Sequence, residues 1–279
     1  MNRAAQVRRI PFVKATACGN DFLLIDSAQF PGEHAQFTRQ ICDRNFGVGA
    51  DGVEWMLPSD DRCPDADVRI HLINADGSPA EISGNGTRCV AAHWLSGEQN
   101  RTRAGQDRVT IQTDAGLKIC RLTRHEGSEF EFETAMGQAT VGEREILPLA
   151  QATAEGVRVS TGNPHFVMFV DAFAPQWQRL AAEIGAHASF INGTNVEFVK
   201  IVNSAHIEIR IFERGAGETQ SSGTGSFASA VATVASGRAR SPLQVSAPGG
   251  SQTVRWDNGE LFLRGPANLI CRGEYLWQS

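Results

Sequence analysis

The chain has 279 residues, 41% of them hydrophobic and 20% charged, which is enough for a large buried core and gives the balance of a water-soluble globular protein. Its net charge of −5 carries no basic footprint for nucleic acid, and no apolar segment reaches the length needed to cross a bilayer. The six cysteines form no CxxC pair and the seven histidines no HExxH or Cys/His cluster, so neither a disulfide framework nor a zinc site is expected, and a reducing cytoplasm is.

In chain order, the arginines of MNRAAQVRRIPFVKATACGNDFLLID precede a short β-type run rather than the apolar core of a signal peptide. Apolar periodicity predicts helices over about 34–44, 87–96, 175–186 and 225–236. Period-two or continuous apolar runs predict strands at VTIQT (109–113), FEFET (130–134), FVMFV (166–170), HIEIRIF (206–212) and LFLRG (261–265). Many strands with few helices indicate an α+β arrangement rather than alternating βαβ units.

The chain also repeats itself. RIHLINADGSPAEISGNGTRCVAAHWLS, from Arg69, aligns without gaps on EIRIFERGAGETQSSGTGSFASAVATVA, from Glu208, a shift of 139 that places Ser83 on Ser222. At a shift of 143, GNDF (19–22) aligns on GNPH (162–165) and GVEW (52–55) on NVEF (195–198). Three blocks in one order argue for two homologous halves of similar fold, each a strand-rich, barrel-like sheet around one central helix. The boundaries expected are 1–127, with 265–279 returning to it, and 128–264, hinged near HEGSE (125–129).

Each copy of the long repeat puts a serine before a glycine-rich turn that opens an alanine-rich helix. Ser83 and Ser222 therefore read first as N-caps. A helix start also offers unpaired N–H groups and the positive end of the dipole to an anion. Two such starts facing one cleft between the halves would hold a small carboxylate with a side chain on either face, the geometry for taking a proton from one side of a carbon and returning one to the other. Asn20, Asn74, Asn85, Asn163 and Asn195, with the Glu213/Arg214 pair, supply amide and charged groups suited to amino and carboxylate groups; singly, each asparagine is equally a turn residue. SGNG and SGTG match neither GxxxxGK[ST] nor GxGxxG, which argues against a nucleotide.

Taken together, GNDFLLID, NFGVGADGVEW, NADGSPAEISGNGTRCVA, STGNPHFV, NGTNVEFV and FERGAGETQSSGTGSFASA resemble the diaminopimelate epimerase family, from about Phe12 to residue 267. The resemblance implies a cofactor-independent isomerase, free of bound metal, that converts LL- to meso-diaminopimelate for lysine and peptidoglycan precursor synthesis, with the site in the cleft between two halves. It implies substrate contacts from Asn20, Asn74, Asn163, Asn195 and Arg214, a reacting carboxylate and amine held by Gly84, Asn85, Gly223 and Thr224, and His165 and Glu213 at the reacting end. It implies a small amino acid as partner, no nucleic acid and no membrane, and leaves room for a homodimer. It also implies a cysteine acid/base pair where this sequence has Ser83 and Ser222. An alcohol titrates well above a thiol, so catalysis by this pair needs a neighbour to take the hydroxyl proton. Cys18 is the nearest thiol in sequence, and Cys89, six residues into the helix, is expected in the core. A racemase, isomerase or dehydratase acting on another small acid, a silent ligand-binding homologue, or a Cys-to-Ser variant fits the same residues.

Overall fold

A computed structural model describes residues 7–58, 63–97, 106–257 and 260–278, and the chain divides into two compact units, 1–132 with 266–279, and 133–265. The first contains β1 (Val7–Ala17), β2 (Asn20–Asp26), α1 (His34–Cys42), β3 (Gly52–Leu57), β4 (Val68–Asn74), β5 (Pro79–Ala80), α2 (Gly84–Ser96), β6 (Arg108–Thr113) and β7 (Gly116–Glu126). β8 (Glu129–Gly137) crosses into the second, which holds β9 (Thr140–Pro148), β10 (Thr153–Ser160), β11 (Pro164–Phe169), α3 (Trp177–Gly185), β12 (Asn195–Asn203), β13 (His206–Glu213), β14 (Gly217–Thr219), α4 (Gly223–Ala235), β15 (Leu243–Ala247) and β16 (Gly250–Asp257). β17 (Glu260–Gln278) then runs back, pairing with β16 over its first residues and with β1 over its last. Both crossings lie inside strands, and 125–129 is a hairpin turn joining β7 to β8, because its polar residues and glycine serve a tight local reversal.

The sequence repeat is a repeat of strand register. Phe22 lies opposite Gly52 in the parallel β2–β3 pair, and His165 lies opposite Asn195 in β11–β12. Val53 lies opposite Ile73 in β3–β4, and Val196 opposite Phe212 in β12–β13. Val109–Cys120 in β6–β7 answers to Leu243–Val254 in β15–β16.

Each unit buries its sheet on both faces, which is why strands such as FLLI and VEFV read as continuous rather than alternating apolar runs. In the N-terminal unit, Phe22 and Leu24 pack with Val90, Ala91 and Ala92 of α2, while Leu23 and Ile25 pack outward with Phe37 and Ile41 of α1. In the C-terminal unit, Val199, Ile207, Ile209 and Ile211 surround Phe227, Ala228 and Val231 of α4, while Val196 and Phe198 pack on Trp177, Ala181 and Ile184 of α3. The central helices, 13 residues each, are buried almost all round, and small alanines and glycines let strands approach from every side. α2 is in contact with β1, β2, β6 and β7; α4 with β9 to β13, β15 and β16. Among the described residues no helix is long and apolar enough to cross a membrane.

Candidate active site

Both central helices begin earlier than periodicity suggests, at Gly84 and Gly223, so the glycines lie in the first helical turn rather than in a turn ahead of it. The reason is the cap. Ser83 Oγ accepts the Gly86 N–H at 3.1 Å, and Ser222 Oγ accepts the Gly225 N–H at 3.2 Å. Each cap stabilises its helix by about 1 kcal/mol. It also turns an oxygen lone pair toward an N–H and the positive dipole end, which favours any negative charge developing on that oxygen. Ser222 is buried and Thr224 Oγ1 lies 3.4 Å from its hydroxyl, while Ser83 is half-buried.

In the C-terminal unit the singled-out residues fall into separate hydrogen-bonded groups, around His165, around Asn195 and around Ser222. His165 is buried; its Nδ1 is 2.7 Å from Glu197 Oε1, and its Nε2 is 3.0 Å from Asn163 Oδ1 and 3.2 Å from Thr161 Oγ1. Burial raises the Glu197 carboxyl above its ordinary range, His165 works against that, and the charge of Glu213 adds to the rise. Glu197 also stands behind the serine. A Cβ on Gly225 would meet Glu197 Oε1 at 3.0 Å and Ser222 Cβ at 3.2 Å. Asn195 is spent on the backbone: its amide donates to the Pro164 carbonyl at 3.1 Å and accepts the Arg214 N–H at 2.9 Å, and the Arg214 guanidinium donates to the Asn192 carbonyl at 2.9 Å. The Asn195 side chain thus fixes Arg214 in place.

In the N-terminal unit Asn20 donates to Asp51 at 2.5 Å and accepts from Asn85 at 3.4 Å, and Asn85 in turn accepts from buried Arg88 at 2.5 Å. Asp51 and Asp21 share Arg44, with Lys14 3.0 Å from Asp21. Burial of Asp21 acts to raise its carboxyl, but the hydrogen bonds and charges of Arg44 and Lys14 outweigh it and hold it below the ordinary value. Asn74 donates to Ser78 at 3.1 Å in the turn after β4, so its contacts are those of a turn residue and it joins neither the Asn20–Asn85 pair nor the cap. Cys89 is fully buried and burial pushes its thiol far up, which removes it as a base; Cys18, also buried, sits in the left-handed region at φ 52° in the β1–β2 turn.

Two residues escaped the sequence reading: Glu197, and Glu54 at the same place in the repeat. Their signal was a carboxylate common to GVEW and NVEF, charged residues in the middle of apolar strands.

Comparison with known proteins identifies the family and the fold. The diaminopimelate epimerase family profile matches residues 12–141 and 157–270. The chain is 36% identical over 290 residues to the diaminopimelate epimerase of Pelotomaculum thermopropionicum, covering 96% of this chain and 99% of that one. Two solved structures share the fold. A phenazine biosynthesis protein of the PhzF family from Bacillus anthracis has a TM-score of 0.70 at 16% identity, over 97% of this chain and all of that one. A hydroxyproline epimerase from Agrobacterium vitis, with bound trans-4-hydroxy-L-proline, has a TM-score of 0.69 at 15% identity, over 97% and 92%. With a family match over most of its length and a relative 36% identical over nearly the whole of both chains, the chain belongs to the diaminopimelate epimerase family, a family of isomerases.

Proposed function

We propose that this protein interconverts LL- and meso-diaminopimelate without a cofactor, by two-base proton transfer at the α-carbon through Ser83 and Ser222. The observation that carries the reading is that both serines occupy the same position of the repeat, each accepting an N–H three residues on, in a chain of this family. The remaining N–H groups of the two helix starts, at Gly84, Asn85, Gly223 and Thr224, donate to the reacting carboxylate, and the amine, itself a donor, is left to the carboxylate of Glu213. Asn20, Asn74, Asn163, Asn195 and Arg214 read the distal end, Asn195 by fixing Arg214. His165 and Glu213 line the reacting end. As base, Ser222 must pass its hydroxyl proton on, and the His165–Glu197 pair behind its turn is the acceptor. Two-base transfer requires both hydroxyls to reach one carbon.

The hydroxyls set the rate. Each unit by which a base lies from the ideal value costs about 1.36 kcal/mol, roughly tenfold in rate. That cost favours a second reading, in which the protein binds the ligand without turning it over. Proton NMR of LL- and meso-diaminopimelate in deuterated buffer separates the two. The first predicts washout of the α-proton signal, lost in both Ser83→Ala and Ser222→Ala. Ligand-dependent stabilisation with no exchange up to about pH 9 would overturn the first and leave the second. The reading assigns no nucleic-acid or membrane partner and places the protein in the cytoplasm, supported by six free cysteines. It takes a homodimer as the assembly for sedimentation equilibrium to test.

A further inference from the structure

Glu54 stands in the middle of β3, between Val53 and Trp55, and all three are 0% exposed. Val53 and Trp55 belong to the outer cluster with α1, so the pleat turns Glu54 toward the central helix. Its cross-strand neighbours are Leu24 and Leu72. Among the described residues neither of its carboxyl oxygens has a hydrogen-bond partner. An ionised carboxylate in such a place is strongly disfavoured, and a carboxyl kept there unpaired calls for an explanation.

The carboxyl rests against the first turn of α2. A Cβ on Gly86 would overlap Glu54 Oε1 and would lie 3.2 Å from Ser83 Cβ, so the missing side chain at 86 makes the space that Glu54 fills, behind the serine. The other half of the repeat has the same arrangement of Glu197, Gly225 and Ser222, with one difference. Glu197 has His165 at 2.7 Å, and the residue in register with His165 is Phe22. The N-terminal unit keeps the glutamate behind the serine and lacks its histidine.

We propose that Glu54 is a positioning residue for Ser83, a carboxyl that holds a proton and exchanges it with the serine hydroxyl, making the N-terminal helix start the acid side of the site. This rests on the two-base reading above. As the Ser83 O–H bond breaks to form the new C–H bond at the substrate carbon, Ser83 Oγ takes the Glu54 proton and leaves a carboxylate. In reverse, Ser83 takes the α-proton while its own hydroxyl proton returns to Glu54. Two protons each move one place, a net transfer of one between Glu54 and the substrate carbon, and nothing is oxidised or reduced. The Glu54 side chain has no hydrogen bond to break in turning toward Ser83. Burial raises its pKa to about 8, with no cation among the described residues to offset it, so the carboxyl is protonated at neutral pH; among the described residues the Cys89 thiol of α2, itself neutral, feels its charge.

The test compares the intact protein with Glu54→Gln, which keeps shape and donor but cannot give up a proton, and with Glu54→Asp, which keeps the acid. Exchange at the α-carbon of diaminopimelate is followed across pH, with infrared difference spectra for the protonated carboxyl. Glu54→Gln should lower kcat about a hundredfold with KM unchanged and remove a pH limb centred near 8, and Glu54→Asp should restore part of kcat. The intact protein should show a protonated-carboxyl band at neutral pH that is absent in Glu54→Gln. Exchange by the intact protein together with an unchanged Glu54→Gln profile, or no such band, would overturn the role of Glu54 alone. No exchange by the intact protein would overturn the two-base reading and this inference with it.

Discussion

Gly86 and Gly225 occupy the same position in the two halves, and adding one methyl group to each should have different consequences. Neither lies in the left-handed region, so alanine is free of backbone strain at both and gains up to about 1 kcal/mol of helix propensity. At Gly225 the new Cβ meets Glu197 Oε1 at 3.0 Å, Ser222 Cβ at 3.2 Å and Ser222 Oγ at 3.4 Å, tight contacts that yield to shifts of a few tenths of an ångström. At Gly86 it overlaps Glu54 Oε1 and comes within 2.9 Å of Glu54 Cδ, so a fully buried side chain has to be displaced. Overpacking of this kind costs about 1–3 kcal/mol. Gly225→Ala should therefore stay within about 1 kcal/mol of the parent or gain slightly, while Gly86→Ala loses about 1–2 kcal/mol net. Urea denaturation with linear extrapolation reads both. A double-mutant cycle of Gly86→Ala with Glu54→Ala should show a favourable coupling of about 1–2 kcal/mol, since the shortened side chain vacates the contested space. Equal stabilities for the two alanine variants, or no coupling to position 54, would refute the placement of Glu54 behind the helix start.

Further outcomes follow from the same contacts. Glu54 has a folded-state pKa raised to about 8 against an ordinary value of 4.5, so the stability its protonated form contributes is complete below about pH 4 and is lost as pH rises through 8, a cost of about 3 kcal/mol at pH 7. Melting curves should show Glu54→Gln gaining on the parent from about pH 5 to pH 8; parallel curves would contradict it. Asp21 has the opposite sign: held below its ordinary value once Arg44 and Lys14 outweigh burial, it contributes stability above about pH 4 that disappears as pH falls, and Asp21→Asn should flatten that acid limb of the unfolding profile. His165→Phe reproduces the Phe22 environment in the C-terminal unit and strips Glu197 of its hydrogen bond, so exchange attributed to Ser222 should fall about a hundredfold while the chain stays folded by circular dichroism. Ser83→Cys combined with Ser222→Cys should raise the exchange rate by about three orders of magnitude, because a thiol at a helix start titrates far nearer neutrality; an unchanged rate would argue against proton transfer at these positions.

Much of this molecule is written in local chemistry, which a linear reading can follow. Ser83 and Ser222 cap helices because a hydroxyl before a glycine-bearing apolar run has an N–H three residues on to accept, a relation spanning one turn of chain. The repeat was visible for a similar reason: a shared register of strands needs shared spacing, and the shift of 143 reappears between the pairings Phe22–Gly52 and His165–Asn195, with that of 139 between the Ile73 and Phe212 ends of Val53–Ile73 and Val196–Phe212. What surrounds the serines was not visible, because it depends on which strand packs on which helix. Glu54 and Glu197 occupy matching places in the sequence, yet the neighbouring strand carries Phe22 at the register position where the other half has His165, and only the parallel pairing of distant strands makes that difference decisive. That Asn195 holds the Arg214 backbone with its oxygen and the Pro164 carbonyl with its nitrogen is likewise a matter of distant strands and not of local sequence. The polar stretch 125–129 looks like a hinge, but pairing makes it a hairpin turn and moves the division between units into β8. Caps, turns and repeats are set by neighbours along the chain; the protonation of a buried carboxyl is set by neighbours in space, and only the tertiary structure supplies them.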